Sequence, residues 1–162
     1  MNGLKTFQIE QIVDVEIGQL GPNLKKYIHN KVKNRLENSC DKEYGYISKV
    51  GKDIKILPNN IVSTAGPNVF FRVLVDITAL KPEQGHRYTA RVCQVLPIGL
   101  FVEVENKLRI LITLKNMVGY VFDKGVFKKG NSTIALNDTV KVVIDVIRYE
   151  DQKFSCLGKL IE

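Results

Sequence analysis

The chain has 162 residues, 44% hydrophobic and 25% charged, with a net charge of +7 and a pI near 9.3. That much apolar material, with no low-complexity run, builds a folded core and excludes a chain that is disordered throughout. The basic excess points to a polyanionic partner such as RNA, DNA or an acidic protein surface, yet it is not a basic tail: residues 1–81 carry 12 basic and 8 acidic side chains, and residues 82–162 carry 12 and 9.

Cys40, Cys93 and Cys156 are odd in number, far apart and form no C-x-x-C pair. Neither a disulfide framework nor a zinc site is expected, and a reducing, intracellular compartment fits. The first residues, MNGLKTFQ, lack the apolar run of a signal peptide, and no segment approaches the roughly 18 apolar residues of a membrane span. No membrane partner is expected.

In chain order, Phe7 to Ile17 is rich in β-branched residues and alternates at Val13, Val15 and Ile17, which predicts a half-buried strand. Gly21-Pro22 ends it, and Pro22 and Asn23 suit a helix start, with Asn as the cap. The helix GPNLKKYIHNKVKNRL carries five Lys or Arg and no acid. Leu24, Tyr27 or Ile28, Val32 and Leu36 share one face, while Lys25, Lys26, His29, Lys33 and Asn34 lie off it. Tyr44 to Val50 and Asp53 to Leu57 read as two short strands, Pro58 to Asn60 as a turn, and Ser63 to Asn68 as a loop. Val69 to Leu80 is a long strand with Phe71, Val73, Val75 and Ile77 on its apolar face. Residues 1–81 thus form an α+β domain, one helix on a small antiparallel sheet.

Lys81-Pro82-Glu83-Gln84-Gly85 breaks the pattern, because proline pre-sets an extended neighbour and removes a ladder donor. Residues 82–162 then read as all-β. Arg87 to Leu96 is a strand, Gly99 to Glu105 and Lys107 to Leu114 form a hairpin at Asn106, and Leu136 to Arg148 pairs with Lys153 to Leu160. Short strands at this density predict a five-stranded OB-fold barrel. Residues 117–135, with three Gly and several Lys, read as a long connection with a short helical turn.

Catalytic chemistry is sparse. His29 and His86 have no metal-ligand spacing to another His, Cys or acid and read as surface histidines. There is no phosphate-binding glycine loop and no nucleophile elbow, and Glu103 with Glu105 reads as a solvated strand face. No enzymatic activity, metal or cofactor is expected. Binding has better support. Alternation turns Leu100, Val102 and Val104 inward and leaves Phe101 on the outer face, where an OB barrel stacks bases of a single strand. Arg91, Lys107, Arg109 and Lys115 supply cations for a phosphate groove. The alternative for Phe101 is packing beneath residues 117–135 or against a neighbouring domain.

Three stretches in one order resemble a known family, the larger subunit of the RNA polymerase stalk, which includes the seventh subunit of eukaryotic RNA polymerase II and its archaeal counterpart. LGPNLKKYIHNKVKNRLENSCDKEYGYI (20–47) is similar to its Gly-Pro helix start and Gly-Tyr-Ile strand. FFRVLVDITALKPEQG (70–85) is similar to its long strand and Lys-Pro junction, and ARVCQVLPIGLFVEV (90–104) to the opening strands of its S1-type OB domain. Residues 63–67 keep Gly66 but lack the acid-Gly pair usual there, and residues 117–135 have no clear match.

The resemblance implies an N-terminal tip domain (1–81) docking on the polymerase core, with Tyr44, Gly45, Thr64, Gly66 and Pro67 at that interface. It implies a C-terminal OB domain (82–162) that meets nascent single-stranded RNA, a smaller helical stalk partner, and no active site of its own. It places the basic helix against protein or solvent rather than RNA. The compartment it implies is the nucleus in a cellular eukaryote, or host cytoplasm or virion for a large DNA virus. A free-standing S1-type RNA-binding protein of translation or RNA decay is the competing expectation.

Overall fold

The alternation around Val13 and Val15 builds a strand that starts and stops earlier than expected. In this computed structural model, which describes residues 3–58, 61–62 and 66–161, β1 runs over Leu4–Glu16 and Ile17–Gln19 tightens into a 3-10 turn. The turn expected at Pro58 to Asn60 lies partly outside the described residues, and so does the first half of the loop expected at Ser63 to Asn68. The chain divides into two compact units: Leu4–Cys40 with Tyr46–Ala79, and Leu80–Glu162 with short additions that include Asp41–Gly45.

In the first unit α1 (Leu24–Leu36) buries Ile28 and Val32 completely. Each such side chain contributes about 1.5–3 kcal/mol of apolar burial. Asn23 occupies the N-cap position but makes no side-chain cap bond. Backbone bonds from Leu24 N–H to Gly21 and from Tyr27 N–H to Asn23 hold this end instead.

The sheet is completed by β2 (Cys40–Asp41), β3 (Gly45–Ile56), β4 (Ile61–Val62) and β5 (Asn68–Leu80), in the order β1-β5-β3-β2 with β4 pairing β5. The two strands expected at 44–57 are one: Gly51, Lys52 and Asp53 stay in the ladder rather than turning. Phe71, Val73, Val75 and Ile77 are buried, as the alternation predicts.

The basic helix turns two of its cations on its own sheet. Lys31 donates to the Asp14 carbonyl at 2.6 Å and pairs with its carboxylate at 3.1 Å. Arg35 donates to the Ile12 carbonyl and, at 2.9 Å, to Gln11 Oε1. Lys25, Lys26 and Lys33 stay exposed. His29, expected at the surface, is half-buried with Nε2 2.8 Å from the Gly51 carbonyl oxygen.

The second unit contains a closed barrel. Its strands are β6 (Arg87–Leu96), β7 (Gly99–Val104) and β8 (Leu108–Thr113), then, after three small strands, β12 (Thr139–Glu150) and β13 (Lys153–Ile161). They close in the order β12-β13-β8-β7-β6, with β13 and β8 parallel and the other pairs antiparallel. Inward residues Val92, Leu100, Val102, Val104, Leu108, Ile110, Ile112 and Val142 are fully buried.

Residues 117–135 are not the connection expected. They hold a three-stranded antiparallel sheet, β9 (Val121–Asp123), β10 (Val126–Lys129) and β11 (Ser132–Ile134), and the only helical turn nearby, among the described residues, is Leu114–Asn116, just before them. Phe127 and Ile134 bury their side chains, and Phe122 meets the Phe127 ring edge-on at 5.5 Å. The fold is therefore one helix with a small antiparallel sheet, followed by a closed five-stranded barrel of OB type.

Candidate nucleic-acid interface

The outer face of β7 begins from simple alternation: Leu100, Val102 and Val104 are buried, so Phe101 and Glu103 face outward, both half-buried. Register then decides their neighbours. Phe101 stands opposite Leu111 of β8 and Gln94 of β6, and Glu103 stands between Arg109 and Arg91.

A bulge in β6 between Val92 and Gln94 inserts Cys93. A bulge adds an unpaired residue and re-aims its neighbours. Here it lets the Cys93 thiol donate to the Phe101 carbonyl at 3.2 Å and brings Gln94 beside the ring. Neither residue was expected at the site. The signal is the spacing Val92 to Val95, three positions where an unbroken strand would keep two.

The sequence-expected cations separate into distinct roles. Arg109 lies over the Phe101 ring, its guanidinium carbon 4.9 Å from the centroid, and reaches Gln94 Oε1 at 3.4 Å. Arg91 is committed to Glu103 at 3.1 Å and to Asn137 Oδ1 at 3.1 Å. Lys107 sits in the turn before β8, and Lys115 is exposed on the 3-10 turn after it. A six-residue strand spans roughly 17 Å at about 3.3 Å per residue, so these two lysines bracket the aromatic rather than converge on it.

That arrangement suits single-stranded nucleic acid: one aromatic face with an arginine beside it, and cations at both ends of the strand for phosphates. Among the described residues no group of three His, Cys, Asp or Glu side chains could hold a metal ion, and Arg91 with Glu103 lines only a shallow concavity shared with Glu105 and Thr139.

Of the expected polymerase-facing residues, Gly66 and Pro67 are exposed, Tyr44 is half-buried and Thr64 lies outside the described residues. Gly45 is buried with φ +92°, and a Cβ there would run into the Leu80 carbonyl. Its conformation therefore has a local steric cause. Among the described residues, no helix is long and apolar enough to cross a membrane.

Residues 81–156 match the S1 RNA binding domain, so the barrel unit contains an S1 domain, and the match supports RNA binding in general. No curated protein matches the chain.

Proposed function

We propose that this protein is the larger, non-catalytic stalk subunit of a multisubunit DNA-directed RNA polymerase. The observation that carries the reading is the S1 domain at residues 81–156 placed directly after a one-helix α+β unit, the order in which the three resembling stretches occur. In this reading residues 1–81 dock on the polymerase core, with Tyr44, Gly66 and Pro67 each among the contacts. A smaller helical subunit pairs with the chain, and the S1 barrel receives nascent RNA through Phe101, Arg109, Lys107 and Lys115 during transcription. Its compartment is that of its polymerase: the nucleus of a cellular eukaryote, or host cytoplasm or virion of a large DNA virus.

One observation favours a second reading. The domain match covers the barrel alone, which also fits a free-standing S1 protein of translation or RNA decay. Affinity purification of the tagged chain from its native cells separates the two. Recovery of the large polymerase subunits and one small partner is the expected result, and recovery of ribosomes or bare RNA without polymerase would overturn the stalk reading.

A further inference from the structure

The small sheet β9-β10-β11 supplies one wall of a cleft through Lys129, Ser132, Thr133 and Ile134. Between it and the first residues of β12 and last residues of β13 lies the cleft, of about 430 Å³. This volume is in the range of ligand sites, about 300–1,000 Å³. Asn116, Tyr120, Lys129, Ser132, Thr133 and Lys141 supply polar lining, and among the described residues no carboxylate lines it. The concavity beside Arg91 is the opposite case, with Glu103 and Glu105 in its wall.

Lys129 is held in place. Its aliphatic stem lies across Gly119, whose added Cβ would come within 3.0 Å of Lys129 Cε. Its ammonium stands 5.6 Å from the centroid of Tyr120. Tyr120 is thus partnered by the cation of Lys129, as Phe101 is by that of Arg109.

The chain connects the two. β8 leaves Arg109, ends at Thr113, and continues through the turn Leu114–Asn116, which carries exposed Lys115 and ends at the cleft residue Asn116. The barrel order puts β8 between β7, which bears Phe101, and β13, whose last residues line the cleft.

We infer that the cleft is a second seat for single-stranded RNA, in which Lys129 and Lys141 hold phosphates of a strand that has passed Phe101 and Lys115. The inference rests on the RNA-binding reading of the S1 barrel. A strand anchored only at Phe101 needs few nucleotides, whereas one that reaches the cleft must be longer. OB folds span about 4 to 16 nucleotides, so length is the variable that separates the two seats.

The test uses the full chain and two oligonucleotides of unstructured RNA, about 4 and about 12 nucleotides long, one at the short end of that range and one well within it. Lys129→Gln with Lys141→Gln should leave the affinity for the short RNA unchanged and weaken the long one. The salt slope for the long RNA should drop by about 1.4, at about 0.7 per lost phosphate contact on a single strand. Phe101→Ala should weaken both lengths. Thermal melting of the double variant at the wild-type temperature establishes that it folds.

If Phe101→Ala weakens both lengths while the lysine variant leaves the long RNA unchanged, the cleft is not an RNA seat. An equal loss on both lengths would overturn the second seat as well, because the lysines would then act only as a diffuse field. If neither RNA binds the wild-type chain, it is the RNA-binding reading itself that fails.

Discussion

Arg109 covers the Phe101 ring from the neighbouring strand, 4.9 Å from guanidinium carbon to ring centroid, while Glu103, two residues along β7, is paired to Arg91 on the other side. The aromatic platform thus has its own cation in place before any base arrives. Stacking is sequence-tolerant because every base has a π-face, and loss of one stacked base costs about 1–3 kcal/mol. Phe101→Ala should therefore weaken RNA binding by about that amount at every salt concentration. Arg109→Gln should instead flatten the salt slope by about 0.7. Fluorescence anisotropy titrations across a salt series read both, and an unchanged affinity for Phe101→Ala would remove the ring from the site.

The basic helix makes a contrasting case. Two of its cations are spent on β1, where Lys31 and Arg35 cover the carbonyls of Asp14 and Ile12 along a strand at the end of the sheet order. Open strand edges template pairing with other chains, and positive side chains blunt them. Lys31→Gln with Arg35→Gln should cost about 1 kcal/mol, as exposed ion pairs do, and should raise self-association. Sedimentation against concentration measures it, and a variant as monodisperse as the parent would refute the edge-guarding role. Lys25, Lys26 and Lys33 are exposed, and their change to Gln should leave RNA affinity close to that of the parent.

Low pH gives a related expectation. Hydrogen bonding to Lys31 first, then to its own backbone, holds the Asp14 carboxyl below the usual carboxylate range. A depressed folded pKa contributes stability that is present above the unfolded value of 3.8 and is lost as pH falls through the folded one. The contribution is small because both side chains are well exposed. Acid titration of the wild type should show a slightly steeper loss of stability below pH 4 than titration of Asp14→Asn; identical curves would dismiss the pair as a contributor.

How much of this was legible in the sequence follows from periodicity. Strands with one buried face announce themselves by alternation, so Phe71 to Ile77 and Leu100 to Val104 were readable, and with them the outward position of Phe101. The small sheet was not, because its strands of three or four residues are too short to show a period, and only Phe127 and Ile134 carry its core. Gly51-Lys52-Asp53 has turn composition, yet cross-strand pairing overrides it within β3. The partners of Phe101 were hidden for another reason: the approach of Arg109 and Gln94 depends on strand register and on the Cys93 bulge, which local composition does not fix.

Gly99 opens β7 where the chain turns from β6, and a Cβ there would collide with the Ile112 carbonyl of β8. The obstacle is backbone, so no side chain can move aside. Gly99→Ala should destabilise the barrel by about 2–4 kcal/mol, at the upper end of single substitutions. Native-state hydrogen exchange of β6, β7 and β8 amides would show it as lost protection. Protection equal to that of the wild type would mean that the β7–β8 approach relaxes freely.

High pH probes the interior of the same barrel. Burial raises the Tyr88 phenol to about 12 from 10.0, and burial raises the Cys156 thiol to about 11 from 9.0. Tyr88 is 2% exposed and its hydroxyl donates to the Lys81 carbonyl at 3.3 Å, so the neutral form is the one that fits. Both folded values lie above the unfolded ones, so the folded state holds its protons longer. Stability is then fully present below pH 9 and falls as pH rises through 9 to 12, by about 2–3 kcal/mol for each group at the upper limit. Tyr88→Phe removes the phenol while keeping the ring, and should flatten the part of the decline between pH 10 and 12. Thermal melts by circular dichroism across this range make the comparison. A Tyr88→Phe chain that loses stability as steeply as the parent would show that the phenol ionises without unfolding the barrel, and that its burial carries no such cost.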